Sequence, residues 1–121
     1  MQRFVIMIGG PLYKHSGVAV GAAAHDSIIA IRADTYFMGA TGVHPAHGIT
    51  TGDLEEAHIK RALIAAAAET VLLATSDKLS KVSPYRVNAV SSLSLLLVTS
   101  AASTSDVESL RAVGLEVRFC E

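Results

Sequence analysis

Residues 53–75, DLEEAHIKRALIAAAAETVLLAT, contain the clearest helix of the sequence and lead directly into a buried strand. Asp53 can cap the first turn of a helix, and Glu56 follows three residues later, as in a capping box. Apolar residues recur at helical spacing, which predicts a helix over residues 53–68. The apolar run at residues 70–75 predicts the strand. A helix joined to a buried strand is the repeating unit of α/β folds.

On both sides of this unit, strand-like and helix-like segments alternate. Ser105 and Glu108 form a second capping pair at the start of the last helix, and Gly114 ends it. Glycine, proline and histidine predict a loop over residues 42–52, and polar residues predict another over residues 76–84. The remaining predicted strands are 3–8, 35–38, 93–99 and 115–119, and the remaining predicted helices are 20–33 and 105–113. This alternation predicts an α/β fold with an open, mostly parallel sheet flanked by helices.

The composition suits a single domain with a large core. Half of the 121 residues are hydrophobic and few are aromatic, as expected of a parallel sheet buried on both faces. No apolar run reaches the ~20 residues of a membrane span, and the first residues lack the layout of a signal peptide. We therefore expect a soluble, cytoplasmic protein with no membrane partner. The net charge of −1, without any basic run, excludes a DNA-binding surface in this chain.

Catalytic, cofactor and metal motifs are absent from the sequence. There is no G-x-S-x-G, P-loop or G-x-G-x-x-G pattern, so we expect neither an enzyme nor a cofactor. His44 and His47 form an HxxH pair, with His58 further on. Because no carboxylate or cysteine stands at ligand spacing, we predict no metal site. The single cysteine, Cys120, cannot form a disulfide within the chain.

Several stretches, in order, resemble the C-terminal sensor domain of the DeoR family of transcriptional regulators. The most distinctive is ADTYFMGATGV at residues 33–43, which is similar to the family pattern AD-x-x-F-x-G-A-x-G. The others are IGGPLY at residues 8–13 with Ser16 and Gly21, GITTGDLEEA at residues 48–57 with Lys60 and Arg61, and Lys78 after a strand. The resemblance implies the fold of pentose-phosphate isomerases, sugar-phosphate deaminases and CoA transferases, truncated at its N-terminal side.

The resemblance also implies a function and partners. Residues 1–121 would form a single partial effector-sensing domain, which binds a phosphorylated sugar as inducer and assembles into a homo-oligomer. Family members contact DNA through an N-terminal helix-turn-helix, and this chain contains no DNA-binding domain. A truncated structural or oligomerisation module without a ligand is the alternative. A sugar-phosphate isomerase-like enzyme would need acidic residues in the loop near Thr41, where none is found.

In open α/β sheets, ligands bind beyond the carboxyl ends of the strands. Lys78 is the predicted cation for the phosphate, and Glu56 is both a capping residue and, by the resemblance, an acceptor for sugar hydroxyls. Thr50 and Thr51 precede a helix N-terminus, where N–H groups favour anions. The other predicted site residues are Gly39, Gly42 and Gly48, for backbone conformation and close approach of the ligand, and Asp34, to orient the loop at residues 39–42.

Two neighbouring features complete these expectations. Glu56 and Lys60 form an i, i+4 pair in the favourable order, and we expect Lys60 and Arg61 to face solvent or a partner subunit. The family usually has an aspartate shortly before its strand-end lysine. Thr75 stands there in this sequence, and Asp77 lies next to the lysine.

Overall fold

In the computed structural model of the protein, residues 5–13 and 18–120 are described. The strands are β1 (Leu12–Tyr13), β2 (Val18–Ala19), β3 (Ala33–Met38), β4 (Gly42–His44), β5 (Gly48–Thr51), β6 (Ala67–Ala74), β7 (Tyr85–Asn88), β8 (Leu95–Thr99) and β9 (Val117–Cys120). The helices are α1 (Gly21–Ile29), α2 (Leu54–Ala66) and α3 (Thr104–Ala112). Strands β3, β6, β8 and β9 form one parallel sheet in that order. The predicted α/β class with a parallel sheet is therefore confirmed.

Helix capping follows the prediction at α2 and differs from it at α3. The Asp53 carboxylate accepts a hydrogen bond from the Glu56 backbone N–H at 2.9 Å, as expected of an N-cap residue. At α3, the capping side chain is Ser103, whose hydroxyl accepts from the Asp106 N–H at 3.2 Å. The predicted Ser105 cap is wrong because Ser103 has the extended backbone of a cap and the helix begins at residue 104.

The loop predicted over residues 42–52 is a β-hairpin. Strands β4 and β5 pair antiparallel, and β7, which the sequence did not predict, pairs with β5. Glycine makes this possible at the turn, since Gly48 has a φ of +79°, which other residues rarely adopt. Val43 and Ile49 pair with each other across the hairpin and are fully buried. The burial of these two side chains stabilises the hairpin. The turn-rich composition of the segment had instead indicated a loop.

The strand predicted over residues 3–8 is wrong for its described part. Residues 5–8 belong to no strand, and residues 3 and 4 lie outside the described residues. Val5 and Met7 are 88% and 85% exposed. An apolar run becomes a strand only when a neighbouring strand satisfies its backbone groups.

The main core lies on one face of the parallel sheet. Met38, Leu72 and Leu96, from three adjacent strands, are at most 1% exposed and pack with buried residues of α2 and α3. On the opposite side of α2, Ile59 packs against Ala24 and Ile28 of α1 in a second cluster. Among the described residues, no helix has the length and apolar character needed to cross a membrane.

The second face of the same sheet retains exposed apolar side chains. Phe37 is 63% exposed and Leu73 is 46% exposed. Val71, in register with Phe37 on this face, is only 7% exposed, so the predicted burial on both faces holds at Val71 and fails at Phe37 and Leu73. Continuous apolar strands are typical of two-sided burial. Ala57 of α2 and Val107 and Leu110 of α3, which belong to the main core, cover the first face.

Candidate functional site

A cavity of about 440 Å³ opens at the carboxyl end of β3. The sheet supplies its wall, the chain that follows β3 supplies its rim, and one side of α2 supplies its floor. Its lining residues are Tyr36, Phe37, Gly39, Ala40, Thr41, Glu56, Lys60 and Leu63. This is the end of a parallel sheet at which ligands bind in open α/β folds.

The polar floor of the cavity is a buried ion pair on α2. Glu56 and Lys60 are each 7% exposed, and the lysine Nζ lies 3.2 Å from the carboxylate Oε1. The same Nζ donates a hydrogen bond to the Gly39 carbonyl oxygen at 2.5 Å. Because a buried charge is costly unless it is paired and hydrogen-bonded, these contacts fix the lysine side chain beneath the loop. The expectation that Lys60 faces solvent or a partner is therefore wrong.

Tyr36 lies beside this ion pair at the end of β3. Burial raises the pKa of its hydroxyl above the ordinary value of 10.0, and the negative charge of Glu56 raises that pKa further. The phenol consequently stays neutral at physiological pH and keeps its proton as a hydrogen-bond donor. The cavity thus combines a carboxylate, an ammonium group and a neutral hydroxyl.

The predicted Thr50 and Thr51 stabilise the rim of the cavity from inside the fold. They are 2% and 1% exposed and belong to β5. The Thr50 hydroxyl accepts a hydrogen bond from the Ser83 backbone N–H at 2.8 Å, and its carbonyl accepts one from the Thr41 N–H at 3.1 Å. The start of α2 is already capped by the Asp53 carboxylate, whose negative charge opposes an anion there.

The three predicted glycines have different structural roles. A Cβ at Gly42 would lie 2.4 Å from the Lys81 carbonyl oxygen, and one at Gly48 would lie 2.3 Å from the Asn88 carbonyl oxygen. Both positions therefore require glycine for close backbone packing of the hairpin. A Cβ at Gly39 would meet nothing within 4 Å. Of the three, Gly39 alone lines the cavity.

Lys78 lies at the carboxyl end of the neighbouring strand β6, in a short 3-10 helix at Ser76–Lys78. Its Nζ is 3.3 Å from the Asp77 carboxylate, and its side chain is 36% exposed. The Thr75 hydroxyl donates to the same carboxylate at 2.5 Å. The hydrogen bond from Thr75, followed by that from Lys78, lowers the pKa of the Asp77 carboxyl. Lys78 shares the sheet edge with the cavity without lining it.

Two further sequence features lie away from the cavity. Asp34 is exposed near the start of β3, at the opposite end of the strand. The His44 Nδ1 accepts hydrogen bonds from the backbone N–H groups of Ala46 and His47, at 3.0 and 3.2 Å, and so belongs to the hairpin turn. Within residues 5–13 and 18–120, no three His, Cys, Asp or Glu side chains are arranged to hold a metal ion.

Comparison with known proteins identifies the family. The DeoR C terminal sensor domain matches residues 2–100, which is most of the chain. The chain belongs to the DeoR C-terminal sensor domain family. In this sensor domain, the motif at residues 33–43 contributes five of the cavity-lining residues and the motif at residues 48–57 contributes one, Glu56.

Curated relatives of the sensor domain are transcriptional regulators. The chain is 25% identical over 117 residues to the HTH-type transcriptional repressor GlcR of Bacillus subtilis, covering 97% of this chain and 45% of the relative. It is 25% identical over 113 residues to the HTH-type transcriptional regulator GlpR of Haloferax volcanii, covering 93% and 44%. It is also 32% identical over 77 residues to the uncharacterized HTH-type transcriptional regulator FruR of Bacillus subtilis, covering 64% and 31%. The chain spans less than half the length of each of these relatives.

Sequence reasoning selected two of the residues that line the cavity, Gly39 and Glu56, and missed three polar or charged ones, Tyr36, Thr41 and Lys60. A signal for Lys60 was present. Apolar or small residues flank it at 57, 59, 63 and 64, so the Glu56–Lys60 pair lies at the border of the buried face of α2. Helical spacing is enough to place the pair at this border. That β3 and its loop cover the pair is seen only in the tertiary structure.

Proposed function

We propose that this chain is the ligand-sensing and oligomerisation domain of a DeoR-family transcriptional repressor of sugar metabolism, with a phosphorylated sugar as its effector. One observation carries the proposal. The Glu56–Lys60 ion pair is buried, yet it lines a cavity of about 440 Å³ at the carboxyl end of β3. A charged pair at the floor of a cavity offers recognition groups to a polar ligand.

The chemistry of the cavity suits a sugar phosphate. Its volume lies within the roughly 300–1,000 Å³ of small-molecule sites. The Glu56 carboxylate can accept hydrogen bonds from sugar hydroxyls, and the neutral Tyr36 phenol can donate to the ligand. The exposed Thr41 hydroxyl donates to the Thr50 carbonyl at 3.3 Å and can accept a hydrogen bond from the ligand. Lys60 supplies a cation on the floor, and Lys78 supplies a second at the end of the adjacent strand, where it can reach a phosphate group.

We therefore assign the effector contacts to Tyr36, Gly39, Thr41, Glu56, Lys60 and Lys78. The other predicted residues, Thr50, Thr51, Gly42 and Gly48, shape the rim through the buried hairpin. The site does not include Asp34, since about five residues of extended strand, at ~3.3 Å each, separate it from Gly39.

The proposed domain acts by binding and not by catalysis. Its relatives are transcriptional regulators, and the Glu56 carboxylate already faces a cation 3.2 Å away, an arrangement that suits ligand orientation. In an intact regulator, an effector changes DNA binding only if it binds the DNA-competent and the released states with different affinities. This chain would supply the ligand part of that coupling, and a helix-turn-helix would supply the DNA contact.

A thermal-shift screen of this chain against phosphorylated sugars tests the proposal, with the same sugars lacking phosphate as controls. A ligand at a hundredfold excess over its dissociation constant stabilises the fold by roughly 2.7 kcal/mol. We expect a selective shift with at least one sugar phosphate and a smaller shift with the matching free sugar. An absence of any shift across the panel would contradict a phosphorylated-sugar effector.

Two variants locate the site. The double variant Glu56→Gln/Lys60→Met removes both charges together, so it leaves no unpaired buried charge and is expected to fold. It should abolish the shift, and Lys78→Ala should reduce it. Lys81→Ala, which replaces an exposed lysine that does not line the cavity, is the matched control and should leave the shift unchanged. A full shift in the double variant would exclude this cavity as the site.

A further inference from the structure

The segment that joins β6 to β7, residues 75–84, is anchored to the β4–β5 hairpin. Leu79 in its middle is 4% exposed and belongs to the main core. The Ser80 N–H donates to a carbonyl oxygen of β4 at 2.8 Å, and the Ser83 N–H donates to the Thr50 hydroxyl at 2.8 Å. These contacts hold Ser83 at a fixed place beside β5.

Ser83 reaches the rim of the cavity through its hydroxyl group. Its Oγ lies 2.5 Å from the Oγ1 of Thr41, which lines the cavity, whereas Ser83 itself does not. The Thr41 backbone N–H and hydroxyl both contact one further acceptor, the Thr50 carbonyl oxygen, at 3.1 and 3.3 Å. Ser83, Thr41 and Thr50 thus form one hydrogen-bonded group that joins the cavity rim to the segment at residues 75–84.

The proton of the Thr41 hydroxyl is used within this group. A threonine hydroxyl has one proton to donate and two lone pairs that accept. The Thr50 carbonyl and the Ser83 hydroxyl, at 3.3 and 2.5 Å, are both acceptors for that proton. When the carbonyl takes it, Ser83 donates to Thr41 and occupies one lone pair of the Thr41 oxygen. The other lone pair stays free, so Thr41 meets a ligand as a hydrogen-bond acceptor.

An acceptor at the rim distinguishes a sugar hydroxyl from a phosphate group. A hydroxyl both donates and accepts, so it can donate to Thr41 or Glu56 and accept from the Tyr36 phenol, all of which line the cavity. A phosphate group at pH 7 carries a charge of about −1.5 to −2 and offers acceptor oxygens. It would set acceptor against acceptor at Thr41 and bring its negative charge close to the Glu56 carboxylate.

We infer that Ser83 is a positioning residue that keeps the Thr41 hydroxyl in its accepting orientation. The hydroxyl-bearing end of the effector then enters the cavity, and its phosphate stays outside, on the side of Lys78. Lys78 lies at the end of the adjacent strand without lining the cavity, where this arrangement requires the cation for the phosphate to be. The inference rests on the proposed sugar-phosphate effector and adds its orientation, together with a residue outside the cavity that controls selectivity.

Two probes, each with one half of the chemistry of a sugar phosphate, test the inference by NMR. Sorbitol supplies hydroxyl groups without charge, and inorganic phosphate supplies the anion. In proton–nitrogen correlation spectra of this chain, sorbitol should shift the amide signal of Thr41. Phosphate should shift the signal of Lys78 and leave that of Thr41 unchanged. Thr41→Val keeps the shape of the side chain without its hydroxyl and should weaken the response of the rim to sorbitol.

Substitutions of two serines in the segment at residues 75–84 separate positioning from general loosening. Ser83→Ala should weaken sorbitol binding roughly two- to tenfold, the usual effect of one neutral hydrogen bond. It should also let phosphate shift the Thr41 signal, because the released hydroxyl can rotate and donate. Ser83→Thr retains a hydroxyl and should restore the wild-type responses. Ser80→Ala is the matched control and should behave as wild type, since it removes a hydroxyl that donates to Asp106 at 2.7 Å.

The inference and the proposed function can fail separately. A phosphate response at Thr41 in wild type, no sorbitol response there, or unchanged selectivity in Ser83→Ala would each overturn the role of Ser83. The proposed function would still stand if sugar phosphates stabilise the chain in the thermal-shift screen. An absence of any thermal shift with sugar phosphates would instead contradict the proposed effector, whatever the two probes show.

Discussion

Lys60 shows how the role of one charged residue depends on what covers it. On an exposed helix, its pair with Glu56 would contribute only a few tenths of a kcal/mol. Here β3 and its loop lie over the pair, and the lysine Nζ also donates to the Gly39 carbonyl. The pair has therefore become part of the core at the floor of the cavity.

Removal of Lys60 alone should be strongly destabilising. Lys60→Met leaves the Glu56 carboxylate buried without its cation, which costs about 3–5 kcal/mol of unfolding free energy. Urea denaturation followed by circular dichroism measures the loss. Lys78→Met, at an exposed ion pair, should change stability little and serves as the control. Equal effects of the two substitutions would mean that the buried pair contributes no more than a surface pair.

Tyr36 predicts a loss of stability at alkaline pH. Its pKa in the folded protein is raised above the unfolded value of 10.0 by burial and by Glu56. Above about pH 10, the unfolded chain therefore releases the proton more readily than the folded chain does, and stability falls as pH rises. In Tyr36→Phe this component should disappear, so its stability should fall less steeply above pH 10 in urea titrations. Tyr85→Phe, at a more exposed tyrosine, is the control and should keep the slope of wild type.

At the scale of elements, the β4–β5 hairpin and the start of α3 depend on backbone geometry. The hairpin needs a residue with positive φ at Gly48 and close packing at Gly42. Helix α3 needs an acceptor at residue 103, where the backbone is extended. These requirements follow from conformation and not from residue type alone.

Gly48→Ala should destabilise the hairpin. Alanine at a φ of +79° is strained, and its Cβ would meet the Asn88 carbonyl oxygen at 2.3 Å. A loss of roughly 1–3 kcal/mol of unfolding free energy is expected. Gly52→Ala is the matched control, since a Cβ there meets nothing within 4 Å, and it should change stability by less than about 0.5 kcal/mol. Thermal denaturation of both variants measures the difference.

The cap of α3 can be tested at two nearby serines. Ser103→Ala removes the acceptor for the Asp106 N–H and should cost about 1 kcal/mol. Ser105→Ala, in the first turn of the same helix, should cost less than half as much. If Ser105→Ala were the more damaging change in chemical denaturation, the helix would begin later than the structure indicates.

At the scale of the whole molecule, the two faces of the parallel sheet differ in how far they are buried. One face is buried by α2 and α3, and the other keeps Phe37 and Leu73 exposed. Phe37 also lines the cavity at the carboxyl end of β3.

The proposed oligomerisation predicts a melting temperature that depends on protein concentration. A partner that binds only the folded state stabilises it by mass action. The Tm of wild type should rise with each tenfold increase in concentration. Differential scanning calorimetry over two decades of concentration checks this. A constant Tm for wild type would argue against assembly in that range.

The sequence by itself determined the α/β alternation, the capped helix α2, the family and two residues that line the cavity, Gly39 and Glu56. Each of these depends on local chemistry: apolar spacing, an aspartate at a cap, and motifs read in order. Only the tertiary structure determined the hairpin at residues 42–51, the burial of Lys60 and the exposed second face of the sheet. These features depend on which distant segments pack together, since a strand needs a partner, a buried charge needs a cover and an apolar face needs a second layer.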